Sequence, residues 1–360
     1  MKKKRVVIAG GGTGGHIYPG LALAEALKNK DPDIEVHFVG AQGGLEEKII
    51  PQHGYPLHLL KVGRLHHSVS IFRRLKALLL LPYSFIQSLF LFIRLRPLWV
   101  LGIGGFASGP FVFTSAIFGG KVAILEPNAF PGLANRWLSK VVRYCFVVFK
   151  EAGEHFPEKK VIQVGLPVRI KKTEAQLNYD GSGPLRILIF GGSQGARAVN
   201  NVVGEWVENL GDQASNFEIF HQIGNRDFEL WEERYGKKYD SFLSYVPYID
   251  DMPKRLSWAD LVICRAGIGS VAEVAMASRP AIFIPLPTAA DNHQVKNAKV
   301  LVNKGAALML EEKELTWQKL GDIINKLKGT PGELLELMTQ LKEIDYSDAQ
   351  EQILKILMKD

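Results

Sequence analysis

His16 stands directly behind Gly10-Gly11-Gly12-Thr13-Gly14-Gly15, where an apolar strand starting at Val6 gives way to a helical pattern. Glycines at a strand end let the backbone approach an anion, and the N–H groups that open a helix favour negative charge. An imidazole in that position can act as a base or position a hydroxyl. The run also satisfies G-x-G-x-x-G, the pattern by which dinucleotide enzymes cradle a pyrophosphate. Those enzymes place an acidic residue at the end of the second strand to hold a ribose. Here that strand, Glu35-Val36-His37-Phe38-Val39, ends in Gly40-Ala41-Gln42, and Glu46 and Glu47 come several residues late. A nicotinamide or flavin site is disfavoured.

Two further glycine loops follow strands and precede helices: Gly102-Ile103-Gly104-Gly105-Phe106-Ala107-Ser108-Gly109-Pro110 and Gly191-Gly192-Ser193-Gln194-Gly195. Three such turns exceed what tight packing needs and point to one or two phosphate-rich ligands. Ser193 and the neighbouring amides could hold a diphosphate without metal. No G-x-x-x-x-G-K-[ST] occurs, which argues against a P-loop ATPase or kinase. Asp31-Pro32-Asp33 has the form of a metal-binding D-x-D but falls between a helix and the start of a strand, so it reads as a solvated turn. Further on, Arg265-Ala266-Gly267-Ile268-Gly269-Ser270 makes a small-residue turn, and Glu273 in the next helix is a carboxylate able to accept both hydroxyls of a ribose.

The elements that must position these residues read as parallel α/β. Strands are expected at Val6–Ala9, Val36–Val39, Val100–Ile103, Val122–Leu125 and Tyr144–Val148, separated by helix-length segments. A polar stretch ending in Asp180-Gly181-Ser182-Gly183-Pro184 reads as a linker. At Ile187 the opening device repeats, followed by strands near Phe217–Phe220, Leu243–Tyr245, Leu261–Ile263 and Ala281–Ile284. The expected fold is thus α/β, two doubly wound Rossmann-like domains with their ligand-binding carboxyl edges facing across a cleft. The expected boundaries are 1–165, 166–345 and a C-terminal helix in 346–360 that packs back on the first domain.

Composition agrees with a two-domain globule: 360 residues, 47% hydrophobic and 22% charged. Cys145 and Cys264 lie far apart in apolar runs, outside any zinc or disulfide spacing, as expected in a reducing cytoplasm. The apolar run after Met1-Lys2-Lys3-Lys4-Arg5 is too short for a signal peptide. Residues 1–164 carry 21 Lys and Arg against 10 Asp and Glu, so the first half seeks an anionic partner. Nucleic acid, an anionic membrane or a phosphorylated substrate would each satisfy that charge.

The three glycine loops, with Tyr248-Ile249-Asp250-Asp251-Met252 and Asp291-Asn292-His293-Gln294, closely resemble in order and spacing the MurG family. This is the bacterial peptidoglycan family that adds N-acetylglucosamine (GlcNAc) to lipid-linked muramoyl-pentapeptide. The resemblance covers essentially the whole chain. It implies a GT-B glycosyltransferase whose second domain holds UDP-GlcNAc: Ile249 on uracil, Glu273 on the ribose, Ser193 and Arg169 on the diphosphate, and Ala266, Gly267, Ile268, Gly269, Ser270 and Val271 with Gln294 along the sugar and phosphates. Thr13, Gly14, Gly15 and Asn128 would close over the donor, and His16 with Gly104 and Gly105 would face the acceptor pyrophosphate.

The implied reaction is inverting transfer to the muramoyl C4 hydroxyl of an undecaprenyl-pyrophosphoryl acceptor, lipid I to lipid II, with His16 as base and Glu126 as second choice. No cofactor, metal or nucleic acid is implied; cell-wall synthesis proteins are expected partners. The chain departs from the family pattern at Phe106, where tyrosine is common. Leu125-Glu126-Pro127-Asn128 replaces His-Glu-Gln-Asn, and Leu166 stands at an asparagine position. A GT-B transferase with another lipid or small-molecule acceptor would share the donor site, whereas a Rossmann oxidoreductase would carry bound NAD or FAD.

Between Lys76 and Arg94 run 17 uncharged residues, at the short limit for a spanning helix and interrupted by Pro82 and polar residues. Strands of one sheet precede and follow the segment, so a spanning helix would leave them on opposite sides of a bilayer. Two readings remain, an ordinary buried crossover helix or one that docks on the cytoplasmic face of the membrane through Arg73, Arg74, Lys76, Arg94 and Arg96; the undecaprenyl acceptor that the resemblance implies favours docking.

Overall fold

The computed structural model describes residues 4–63, 71–167, 172, 176–177, 179–192, 194–346 and 348–359, and the side chains of all of these except 71–78. The chain divides into two compact units, residues 1–169 with 346–360, and residues 170–345.

In the first unit, β1 (Arg5–Gly10), β2 (Glu35–Ala41), β3 (Leu57–Leu60), β4 (Trp99–Gly104), β5 (Val122–Glu126), β6 (Tyr144–Val147) and β7 (Val161–Gln163) form one sheet in the order β3-β2-β1-β4-β5-β6-β7. Every pairing is parallel. In the second unit, β8 (Leu185–Phe190), β9 (Phe217–Gln222), β10 (Leu243–Val246), β11 (Leu261–Cys264), β12 (Ala281–Phe283) and β13 (Leu308–Met309) are ordered β10-β9-β8-β11-β12-β13, again all parallel. Counted within each unit, the first six strands take the order 3-2-1-4-5-6 of the doubly wound nucleotide-binding fold.

The central strands are continuous apolar runs because helices cover both faces of a parallel sheet. Residues 7–9 of β1 and 187–189 of β8 are fully buried. The three strands that no sequence pattern announced, β3, β7 and β13, are sheet edges of two to four residues.

The final helix, Ala349–Lys359, packs on the Gly14–Lys30 helix of the first unit. Gly165 sits where this return begins: a Cβ there would come within 2.5 Å of the Tyr346 Cα. Asp31 closes the Gly14–Lys30 helix, pairs with Lys4 at 3.0 Å and accepts the Asp33 N–H, so the D-x-D triplet is an exposed turn ahead of β2.

Candidate functional site

The carboxyl end of β1 carries the first glycine loop. β1 and β4 pair in simple register up to Ala9 opposite Gly102; the register then slips and Gly10 faces Gly104. Gly104 and Gly105 adopt φ of 91° and 89°, a region that favours glycine. Side chains are also excluded by contact: a Cβ on Gly105 would strike the Gly11 backbone, and one on Gly104 would lie 2.8 Å from the Cδ2 and Nε2 of His16. The first and second glycine loops are therefore in backbone contact, with the His16 imidazole over Gly104.

Thr13 precedes the helix in an extended conformation, and its carbonyl accepts the N–H groups of both His16 and Ile17 at 3.1 Å. Its hydroxyl does not cap the helix but lies 3.1 Å from His16 Nδ1. If Nδ1 carries the proton and donates it to that hydroxyl, Nε2 is left as the basic nitrogen. Pro19, inside the helix, cannot return a hydrogen bond to the Gly15 carbonyl, which loosens the first turn.

Glu126, the second candidate base, ends β5 and is 1% exposed. Its Oε1 accepts the Asn128 N–H at 3.0 Å and Nδ2 at 3.1 Å; its Oε2 accepts the Gly132 N–H at 3.1 Å and Asn135 Nδ2 at 2.9 Å. Burial pushes this carboxyl above its ordinary range while the four donors pull it down. With both oxygens taken, its geometry is that of an anchor for the loop bearing Asn128.

In the second unit, Gly267 precedes the Ile268–Met276 helix in an extended conformation. Ala266, Ile268 and Val271 are buried, whereas Gly267, Gly269 and Ser270 reach the surface. Glu273, half-buried on that helix, has no hydrogen-bond or ion-pair partner among the described residues, and desolvation pushes its carboxyl up to about 7. Gln294, in the first turn of the His293–Val302 helix, accepts the Leu286 N–H through Oε1 at 3.0 Å. Its Nε2 lies about one van der Waals contact from the place a Gly267 Cβ would fill. The loops after β11 and β12 therefore meet at Gln294, next to two successive left-handed residues, Asp291 and Asn292.

Three features escaped the sequence reading. Buried Arg265 donates to the Ile284 and Pro285 carbonyls at 3.2 and 3.3 Å and pairs with Glu312 at 2.5 Å, fixing the chain that leads to Gln294. Gln222 accepts the Gly191 N–H at 3.2 Å, and the Gly195 N–H goes to the Gly192 carbonyl at 2.9 Å. Two of the five amides expected to meet a diphosphate are thus already given to acceptors in the protein. Asp251 caps the Met252–Trp258 helix by accepting the Lys254 N–H at 3.1 Å, and Ile249 is buried just ahead of it. Arg169, Ser193 and the side chains of Arg73, Arg74 and Lys76 lie outside the described residues. Among the described residues no group of three His, Cys, Asp or Glu could hold a metal ion.

Tandem Rossmann units, each with glycine loops at the carboxyl edge of its sheet, are the architecture of GT-B glycosyltransferases. The N-terminal domain of glycosyltransferase family 28 matches residues 6–147 and its C-terminal domain matches residues 186–353, and the chain belongs to that family. It is 46% identical to the UDP-N-acetylglucosamine–N-acetylmuramyl-(pentapeptide) pyrophosphoryl-undecaprenol N-acetylglucosamine transferase of Bdellovibrio bacteriovorus, over 91% of this chain and 90% of that one. The transferase of the same name from Myxococcus xanthus is 43% identical, over 92% and 86%. The crystal structure of Acinetobacter baumannii MurG superposes with a TM-score of 0.80 at 28% identity, over 99% and 100% of the two chains. A calicheamicin glycosyltransferase, CalG4, shares the fold with a TM-score of 0.71 at 13% identity.

Proposed function

We propose that this chain transfers GlcNAc from UDP-GlcNAc to the C4 hydroxyl of undecaprenyl-pyrophosphoryl-MurNAc-pentapeptide. The observation that carries this reading is the match, over nine tenths of this chain and of the Bdellovibrio protein, to a transferase named for that donor and acceptor. Chemically, the acceptor oxygen attacks the anomeric carbon, its proton passes to His16, and the bond from that carbon to the UDP oxygen breaks with inversion. The amides of residues 192–194, with the Ser193 side chain and Arg169, take up charge on the departing diphosphate. Glu273 accepts from the ribose, and the Gly267 and Gln294 segment holds the sugar. No step in this scheme needs a metal. Purified protein given radiolabelled UDP-GlcNAc and solubilised acceptor, with EDTA present, is expected to move label into the lipid phase. Label that stays in the aqueous phase after Mg2+ is restored would reject the acceptor or the reaction.

The enzyme would meet its acceptor at the cytoplasmic face of the membrane. Among the described residues no helix is long and apolar enough to cross a bilayer. On the Ile71–Leu95 helix, Leu79, Tyr83, Ile86, Phe90 and Ile93 recur at alternating steps of four and three, which is one helical face, and all five are exposed, Leu79 by 80% and Phe90 by 72%. That helix packs against Ser108–Ile117, which adds exposed Phe113 and Ile117, with Phe118 just beyond. An exposed apolar stripe of this length, with Arg94 and Arg96 at its end, supports docking on an anionic surface. Each Lys or Arg near such a surface contributes about 1 kcal/mol. Replacing Arg73, Arg74, Lys76, Arg94 and Arg96 by Gln is expected to release the protein from sedimenting anionic liposomes; unchanged sedimentation would remove these residues from the membrane contact.

A further inference from the structure

Glu46 opens the short helix after β2, and its carboxylate turns inward beneath the first glycine loop, where it is 1% exposed. Oε2 accepts the Gly12 N–H at 2.8 Å and Oε1 accepts the Ala41 N–H at 2.9 Å. Three glycines make room for it: a Cβ on Gly40 would lie 2.5 Å from Glu46 Cγ, and one on Gly11 or Gly44 would run into the carboxylate itself. No Lys, Arg or His pairs with it among the described residues, so backbone amides alone satisfy this buried acceptor.

We propose that Glu46 is a positioning residue for the transfer reaction, holding the first glycine loop so that Thr13 aims His16; the proposal rests on the activity inferred above. The chain of contacts is short. Glu46 fixes Gly12, whose φ of 87° sets the turn into Thr13, and the Thr13 hydroxyl and carbonyl then fix the imidazole and the backbone of His16. Glu46 also stands where a ligand oxygen would otherwise stand. In a dinucleotide enzyme the N–H groups of this loop meet a pyrophosphate, but here the Gly12 N–H is taken and a carboxylate lies behind it. The loop keeps the G-x-G-x-x-G spelling while refusing a polyanion at its first turn, and, with the His16 and Ile17 N–H groups given to the Thr13 carbonyl, it leaves those of Gly14 and Gly15 to face a ligand.

The test is Glu46→Gln, which keeps the volume but sets an NH2 group against one of the two N–H donors. Hydrogen exchange is expected to accelerate in residues 10–16 and 40–42 and to stay unchanged elsewhere in the first unit. The value of kcat is expected to fall about 10- to 100-fold, as for a misplaced catalytic group, while the affinity for UDP, whose proposed contacts Ile249 and Glu273 lie in the second unit, moves by less than about twofold. Unchanged exchange at Gly12, or faster exchange with full kcat, would overturn the proposal. So would equal losses in kcat, donor binding and thermal stability, which mark a merely structural role. If Glu46→Gln does not fold, Glu46→Asp, one methylene short of both donors, is measured against the same expectations. A wild-type chain that transferred no GlcNAc would defeat the inferred activity, whereas exchange at Gly12 judges the clamp without turnover.

Discussion

Replacing His16 with Ala lowers kcat by about 10²- to 10⁴-fold, the range removed with a general base, and leaves the KM for UDP-GlcNAc within about twofold. The split follows from where the residues stand. His16 belongs to the first unit, over Gly104, whereas Glu273, Gln294 and the Gly267 turn belong to the second. Thr13→Val, which removes the oxygen 3.1 Å from Nδ1 but keeps the helix start, gives a smaller loss of about tenfold, within the range for a misplaced catalytic group. Steady-state kinetics at saturating acceptor measure both. An unchanged kcat in the His16 variant would end its assignment as base, and Glu126, with both oxygens already accepting, is poorly placed to replace it.

Glu273→Gln has opposite effects on binding and on stability. A carboxylate in the proposed ribose-binding role accepts hydroxyls best when ionised, and desolvation has pushed the Glu273 carboxyl up to about 7. The affinity of the wild type for UDP is therefore expected to weaken as pH falls through 7, and that of the variant to be weak and flat with pH; titration calorimetry between pH 5.5 and pH 8.5 measures both. The effect on folding has the reverse sign. The folded state holds the proton more tightly than the unfolded state, so the contribution of Glu273 to stability is fully present below its unfolded pKa of 4.5 and is lost as pH rises through 7. At pH 8 the Gln variant is expected to be more stable than wild type by up to roughly 3 kcal/mol, and at pH 4 the two should match. A variant no more stable at pH 8 would mean that Glu273 finds a partner in solution.

His16 and Glu273 could be singled out as candidates in the sequence because each follows a glycine-containing turn at the end of an apolar strand. The central strands were legible for the reason that makes them central: buried on both faces, they read as unbroken apolar runs. The edge strands were not. Leu57-His58-Leu59-Leu60 is short and carries a histidine, and Leu308–Met309 is two residues long. The residues that hold the loops in shape were hidden for a different reason. Glu46 serves Gly12, 34 positions away, and Gln222 serves Gly191, 31 away. A side chain that satisfies a distant backbone amide leaves no local period or spacing. Glu126 shows the converse, a carboxylate at a strand end whose promise as a base depends on lone pairs that Asn128, Gly132 and Asn135 already use.

The central claim is a single displacement at the anomeric carbon, served by one base and no covalent intermediate. The anomeric configuration of the GlcNAc residue in the lipid-linked product, read by proton NMR after transfer from α-linked UDP-GlcNAc, tests it most directly. A β linkage is predicted, because one attack from the face opposite UDP inverts the centre. An α linkage would contradict the account, since retention requires either a nucleophilic side chain that His16 does not supply or attack from the face that UDP leaves.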